Sequence, residues 1–115
     1  MRRGDVYWVA LDPVRGSEAN KTRPAVIVSN DAANRTVERA GRGELTVVPI
    51  TSNTDRVFPF QVLLPRAACG LDGDSKAQAE QVRAVAAERL GDRIGALPGD
   101  VLRRLDEALR LHLAL

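Results

Sequence analysis

The sequence is poor in the residues from which most hydrolytic and metal-dependent sites are built. Its one cysteine, Cys69, excludes an internal disulfide framework and a four-cysteine zinc site. It has one histidine, His112, which disfavours a ribonuclease or triad hydrolase that depends on a positioned imidazole. A catalytic metal ion would require clustered carboxylates, and the acidic residues of this sequence are scattered. The sequence therefore indicates neither a metal site nor a cofactor.

Long apolar runs and a strong charge of one sign are also missing. No run reaches the length of a transmembrane helix, and residues 1–5 lead into no signal-peptide core, so a cytoplasmic protein is expected. The 17 Lys and Arg residues exceed the 15 Asp and Glu residues by a net charge of only +2, which does not by itself indicate nucleic-acid binding. Nearly all the basic residues are arginines, which suit phosphate, although a GC-rich genome gives the same bias.

What is present is a set of short apolar runs in a chain of 115 residues, which fits a single domain spanning residues 1–115. Runs rich in β-branched residues predict strands at 6–11, 24–29, 45–51, 60–64 and 93–97. Pro49 suggests that the third strand ends at an edge or a bulge. A short helix is predicted over 31–42. The apolar spacing after Pro98 predicts an amphipathic C-terminal helix with His112 on its apolar face.

Residues 75–85 are ambiguous, because their Ala, Glu, Gln and Lys residues are good helix formers and locally favour a helix. The whole pattern predicts an α+β, mainly β fold. Its sheet is expected to be small, strongly bent and mostly antiparallel, with helices packed on one side.

The polar loop between the first two predicted strands, residues 12–22, is the most informative stretch. It is closed by Arg23-Pro24, and proline biases the residue before it to an extended conformation. Arg23 is therefore predicted to display its guanidinium at the start of the second strand, beside a loop of the kind that often carries function. Together with the hydroxyl groups of Ser17, Thr51 and Ser52, it suits a reaction that must hold and neutralise a phosphate.

RNA cleavage by the substrate's own 2′-hydroxyl is such a reaction. The protein must hold the strand in line, stabilise a pentacovalent phosphorane and donate a proton to the leaving 5′-oxygen. A guanidinium donates two parallel hydrogen bonds to a phosphate, and a threonine hydroxyl adds a third donor. The general base is not identified by the sequence, because free arginine has a pKa above about 12. Either Arg23 acts mainly as electrostatic stabiliser and acid, or a substrate group or water takes the proton.

Seven pieces of the sequence form a recognisable pattern. They are R-G-D-V-Y at 3–7, G-S-E at 16–18, R-P-A-V-I-V-S-N-D at 23–31, V-V-P-I-T-S at 47–52, P-F-Q-V at 59–62, E-Q-V-R at 80–83 and L-D-E-A-L at 105–109. In this order and spacing, over essentially the whole chain, they resemble the MazF/PemK family of bacterial toxin–antitoxin endoribonucleases.

The resemblance implies a strongly twisted antiparallel sheet of the SH3-like barrel type with a C-terminal helix, and a homodimer. It implies metal-independent, sequence-specific cleavage of single-stranded RNA that leaves a 2′,3′-cyclic phosphate and a 5′-hydroxyl and so inhibits translation and growth. A MazE-like antitoxin is expected to cover the groove at the dimer interface that also takes the RNA. The resemblance also changes the expectation for residues 75–85 from helix to largely strand.

The resemblance assigns catalytic roles to Arg23 and Thr51. It implies RNA contacts for Ser17, Glu18 and Gln81, while Ser52 and Asn53 follow Thr51 and are placed to read base edges. Each role has a structural alternative: Arg23 could form a surface ion pair, and Thr51 could cap a turn. The aromatic residues are divided between uses, since Phe58 could stack a base or join the core, and Trp8 and Phe60 are assigned to the core or the dimer interface.

Two other functions fit the same fold. One is a non-enzymatic, gyrase-poisoning toxin of the CcdB type, whose activity is associated with an aromatic residue near its end, whereas this chain ends in L-H-L-A-L at 111–115. The other is a catalytically silent RNA-binding module. An assay of RNA cleavage separates both from the endoribonuclease.

Overall fold

The structure, a computed structural model, describes residues 1–11 and 22–115. Two 3₁₀ turns, Ala79–Gln81 and Ala87–Arg89, join the last three strands in sequence. All the strands and helices predicted above are present with ends shifted by a few residues, and a single-turn helix over Arg66–Cys69 was not predicted. In chain order the elements are β1 (Asp5–Ala10), β2 (Thr22–Ile27), α1 (Asp31–Ala40), β3 (Glu44–Thr51), β4 (Gln61–Leu64), α2 (Arg66–Cys69), β5 (Ser75–Gln78), β6 (Arg83–Ala86), β7 (Leu90–Ala96) and α3 (Gly99–Leu113).

The strands of this part of the chain form one seven-stranded antiparallel sheet, which confirms the predicted α+β, mainly β fold class. The strand order is β4-β5-β3-β2-β1-β7, and β6 pairs with β3 on the same side as β5. Within the described residues β4 and β7 lie at the two ends and do not pair, so the sheet stays open where a complete barrel would close. The SH3-like barrel is therefore present as an unclosed sheet.

Pro49 lies in the interior of the sheet, so of its two predicted positions, an edge or a bulge, the edge is wrong. On one side of β3, Pro49 pairs with Ala25 of β2. On the other side β3 changes partner, pairing with β6 up to Val47 and with β5 from Ile50 onward. A proline is tolerated at this point because no ladder hydrogen bond on the β5/β6 side requires its missing N–H.

Residues 75–85 form β5, a 3₁₀ turn and the first part of β6, as the family resemblance implied and local preference did not. Both strands gain ladder hydrogen bonds to β3, and Ala77 and Ala79 are fully buried. Tertiary pairing therefore overrides the helix propensity of the alanines.

The core consists of two clusters on opposite faces of the central strands. Strand β2 contributes to both, since Val26 lies in the cluster that α3 covers and Ala25 and Ile27 lie in the other. Helix α3 covers the first cluster through Val101, Leu105 and Ala108. His112 is exposed, so its predicted place on the buried apolar face is wrong.

One buried polar side chain of helix α1 forms hydrogen bonds to the residues that follow β2. Asn34 is fully buried, accepts a hydrogen bond from the Ser29 hydroxyl at 2.6 Å and donates to the Ser29 carbonyl at 2.9 Å. One residue along, the Asn30 side chain caps the helix by accepting from Ala33 N at 2.8 Å. The end of β2 and the start of α1 are thus joined by side-chain hydrogen bonds.

Replacing Asn34 with alanine is expected to lower the free energy of unfolding by about 1–3 kcal/mol, because the Ser29 hydroxyl and carbonyl lose their partner in a buried place. Urea unfolding at fixed protein concentration measures the change. Thr36→Ala, on the exposed side of the same helix, is the matched control and is expected to stay within about 0.5 kcal/mol of the parent. Equal stability of the two variants would contradict a fastening role for Asn34.

Candidate functional site

The register of β2 against β3 brings Arg23 and Thr51 together. Ala25 pairs with Pro49, and Ile27 pairs with Val47. The β2–β3 pairing ends at Ala25 and Pro49, and Arg23 and Thr51 each lie two residues beyond it, at the same end of the strand pair. Both residues are half-buried, so their polar groups are accessible at this end of the strand pair.

A cavity of about 500 Å³ opens at this end of the sheet, and both Arg23 and Thr51 line it. Ser52 lines it as well, so three of the predicted site residues share one cavity. The charged residues that line it are Arg23, Arg93 and Asp72, of which two are cationic. The described wall of the cavity therefore offers a positive balance to an anionic ligand.

The hydroxyl of Thr51 has one of its hydrogen-bonding positions occupied. Its Oγ1 accepts from the backbone N–H of Asn53 at 3.3 Å, and the Asn53 side chain in turn accepts from Asp55 N at 3.1 Å. Because the amide supplies the proton of the first bond, the hydroxyl's own proton remains available to an acceptor in the cavity. Thr51 therefore shapes the following turn, as its structural alternative predicted, and its hydroxyl still has a proton to donate.

The other predicted site residues are dispersed. Asn53 and Gln81 are exposed and do not line the cavity. Gln81 ends the 3₁₀ turn between β5 and β6, and since both strands pair with β3, this turn lies alongside β3. Ser17 and Glu18 lie outside the described residues.

Two cavity residues were missed by sequence reasoning. Trp8 was expected in the core or the dimer interface, but its side chain is 38% exposed and lines the cavity, so the core assignment is wrong. Arg93 also lines the cavity, and its guanidinium lies 3.3 Å from Asp5 Oδ1. No spacing signal marks either residue, because β1 and β7 reach the cavity through sheet pairing alone.

The two residue types that most often act as nucleophile or base lie elsewhere. Cys69 is buried, and burial raises the pKa of its thiol above the usual value, which keeps it protonated at neutral pH. His112 lies near the end of α3 and is not among the residues that line the cavity. In the described part of the chain the cavity therefore offers arginine and hydroxyl groups rather than an imidazole or a thiolate.

The family model of the PemK-like, MazF-like toxin of type II toxin–antitoxin systems matches residues 2–113. The fold and the family model together define a type II toxin, and the chain belongs to the PemK/MazF family. The resemblance drawn from the sequence is thereby confirmed.

Two curated relatives extend over the whole chain. Endoribonuclease MazF9 of Mycobacterium tuberculosis (strain ATCC 25618 / H37Rv) is 60% identical over 115 residues, which are 100% of this chain and 98% of that protein. Endoribonuclease EndoA of Bacillus subtilis (strain 168) is 35% identical over 116 residues, covering 100% of this chain and 96% of that protein.

Solved structures share the fold. An endoribonuclease from a mycobacterial species, in complex with its cognate antitoxin, superposes with a TM-score of 0.80 at 25% identity, covering 100% of this chain and 96% of that one. MazF from Deinococcus radiodurans superposes with a TM-score of 0.78 at 27% identity, covering 100% of this chain and 97% of that one. In the described part of this chain, no helix is long and apolar enough to cross a membrane.

One wall of the cavity depends on a close approach of two backbones. Gly70, which lines the cavity at a φ of +76°, packs against β7, and a Cβ added at Gly95 would lie 2.6 Å from the carbonyl oxygen of Cys69. A contact that short forces the segment after α2 away from β7. Gly73 also lines the cavity, but a Cβ there would meet no atom within 4 Å.

Gly95→Ala is therefore expected to destabilise the fold by about 1–3 kcal/mol, the usual cost of overpacking against a backbone atom that cannot easily move. Gly73→Ala is the matched control and is expected to leave stability nearly unchanged. Thermal or urea unfolding of both variants measures the difference. A stable Gly95→Ala protein would show that the two backbones are not held in contact.

Proposed function

We propose that this toxin is an endoribonuclease that cleaves single-stranded RNA by attack of the substrate's own 2′-hydroxyl, with Arg23 and Thr51 at the scissile phosphate. Endoribonuclease activity is the named function of both full-length relatives, at 60% and 35% identity. The observation that supports the residue assignment is that Arg23 and Thr51 line one cavity at the same end of the β2–β3 strand pair.

These two groups suit the demands of the reaction. The Arg23 guanidinium donates two parallel hydrogen bonds to the phosphate and neutralises the charge that develops on the phosphorane. The Thr51 hydroxyl donates a third, because the bond that its Oγ1 accepts from Asn53 N leaves its own proton free. Arg23 also supplies a proton to the leaving 5′-oxygen, and the 2′-hydroxyl proton passes to a substrate group or to water.

Further residues of this chain are proposed to contact the RNA, and the toxin is proposed to have protein partners. Ser52 contacts the RNA from the cavity wall, while Asn53 and Gln81 contact it outside the cavity. Ser17 and Glu18 contact it as well. The toxin acts as a homodimer in the cytoplasm, and a MazE-like antitoxin covers the groove at the dimer interface that also takes the RNA. An antitoxin partner is supported by the solved structures of a mycobacterial endoribonuclease with its cognate antitoxin and of MazE-MazF from Deinococcus radiodurans.

The two alternative functions are less well supported. The gyrase-poisoning interpretation finds no counterpart in the relatives above, which are named as endoribonucleases. A catalytically silent RNA-binding module would share the fold and the cavity, and it differs from the proposal in one measurable property, the cleavage of RNA.

Thr51→Val and Arg23→Lys are each expected to lower the rate of RNA cleavage by about 10²–10³-fold, the range for losing one donor to a developing oxyanion. The valine keeps the shape of threonine without the hydroxyl. The lysine keeps the charge without the bidentate fork, so RNA affinity is expected to stay close to that of the parent. The assay is cleavage of a long single-stranded RNA in excess EDTA, with cyclic-phosphate ends identified on the fragments.

Thr36→Val and Arg104→Lys make the same two chemical changes on exposed helix positions away from the cavity and are expected to cleave at the parental rate. Unchanged cleavage by Arg23→Lys would remove Arg23 from the mechanism. Absence of cleavage by the parent protein on several RNAs would favour the binding-only interpretation.

Trp8 offers an independent optical test, because it is the only tryptophan and lines the cavity. Binding of a non-cleavable 2′-deoxy oligonucleotide is expected to shift and quench its emission in a saturable manner that high salt weakens. Fluorescence anisotropy of a labelled oligonucleotide gives the affinity in parallel. Tight binding by anisotropy with an unchanged Trp8 spectrum would place the nucleic acid outside this cavity.

A further inference from the structure

None of the four aromatic residues of this chain belongs to the buried core of the described residues. The core is made of aliphatic side chains and one cysteine. Trp8 is 38% exposed and Phe58 is 36% exposed, although aromatic side chains usually gain most from burial. An exposed aromatic ring can bind a ligand that stacks on its flat face.

Phe58 belongs to an ordered stack in the loop that connects β3 to β4. The rings of Phe58 and Phe60 are nearly parallel, at an angle of 4°, with centroids 5.3 Å apart. The guanidinium carbon of Arg56 lies 4.7 Å from the centroid of the Phe58 ring. These three residues, called the Arg56–Phe60 stack below, form a set of flat groups on the surface.

Two buried polar side chains form hydrogen bonds with the backbone of the loop that carries this stack. Gln61 accepts from Phe58 N at 3.1 Å and donates to Glu80 Oε2 at 2.7 Å. Lys76 donates from its ammonium group to the carbonyl of Arg56 at 2.5 Å. Each of the two side chains is only 8% exposed. The stack is therefore preorganised before any ligand arrives.

The same loop begins at the proposed catalytic threonine. Thr51 Oγ1 accepts from Asn53 N at the first turn of the loop, and Lys76 is the direct pairing partner of Thr51 on β5. Lys76 therefore connects the two places: its backbone pairs with Thr51, and the end of its side chain contacts Arg56. Arg56, Phe58 and Phe60 do not line the cavity, so a base would reach the stack from a nucleotide beyond the one bound at Thr51.

We propose that the Arg56–Phe60 stack is a platform for a nucleobase that neighbours the scissile phosphate, and that Lys76 is the positioning residue that holds it in place. This inference rests on the proposed function. Unpaired RNA bases stack on aromatic rings and on arginine guanidinium planes, which are the groups present here. A base held at this point selects which phosphate reaches Thr51, so the platform contributes to the sequence preference of cleavage.

The platform is tested by binding, so that the result does not depend on cleavage. A non-cleavable single-stranded oligonucleotide carries one 2-aminopurine at successive positions, and its fluorescence is titrated with the protein. One position is expected to be quenched, because a stacked 2-aminopurine loses emission. Phe58→Leu keeps an apolar side chain without a π face and is expected to abolish that quench and weaken binding by about 5- to 150-fold, the range for one lost stacked base.

Leu63→Ala is the matched control, because Leu63 is an exposed apolar residue of β4 outside the stack. It is expected to bind like the parent. Binding and quenching by Phe58→Leu equal to those of the parent would overturn the platform, as would a loss confined to an antitoxin peptide with RNA binding intact. Loss of the quench in Phe58→Leu alongside a parent protein that cleaves no RNA would sustain the platform and refute the proposed function instead.

The role of Lys76 is tested by Lys76→Met, which keeps a long apolar stem and removes the donor to the Arg56 carbonyl. The expected result is a KM raised by about the same factor as in Phe58→Leu, a kcat within a few-fold of the parent, and cleavage at additional sites in a long RNA. Lys76→Arg, which retains a donor, is expected to restore part of the site preference. A fall in kcat at unchanged KM, or an unaltered cleavage pattern, would overturn the positioning role.

Discussion

The hydrogen-bonded pairing of β3 with its neighbours determines where Thr51 and the segments around it lie. Strand β3 pairs with β2 along one side and with β6 and then β5 along the other, changing partner around Pro49. A slip of one residue between β2 and β3 would turn Arg23 and Thr51 to opposite faces of the sheet and would exchange the two apolar clusters. Those clusters bury Val26 on one face and Ala25 and Ile27 on the other, so the apolar burial that stabilises the fold also fixes the register of the site.

Much of the fold could be predicted from local sequence, because β-branched runs and a 3.6-residue apolar period carry their own signal. The exceptions share a cause. Residues 75–85 have helical preference but form strands, since pairing with β3 is a long-range interaction that no local window contains. Pro49 looked like a strand end because the change of partner that accommodates it depends on two later segments. His112 follows the apolar spacing of α3 yet lies beyond the last turn that the sheet covers.

The site was predictable in part. Arg23 is marked by the proline that follows it, and Thr51 by its place at the end of an apolar run, while the family resemblance linked the two before any register was known. Trp8 and Arg93 had no such mark, because they reach the cavity only through the pairing of β1 with β2 and β7. Trp8 and Phe60 were assigned to the core or the dimer interface, whereas aliphatic side chains fill the core of the described residues without them.

The chemistry proposed here places modest demands on the protein, which explains how a chain without a cluster of imidazoles or carboxylates can serve. The RNA supplies the nucleophile, so the protein supplies hydrogen-bond donors and a fixed geometry. Thr51 links the two proposed tasks, since it lines the cavity while its Oγ1 accepts from Asn53 N at the start of the loop. Its pairing partner Lys76 donates to Arg56 further along the same loop. In the proposed mechanism, selection of the base and stabilisation of the phosphorane therefore both depend on the strand end that carries Thr51.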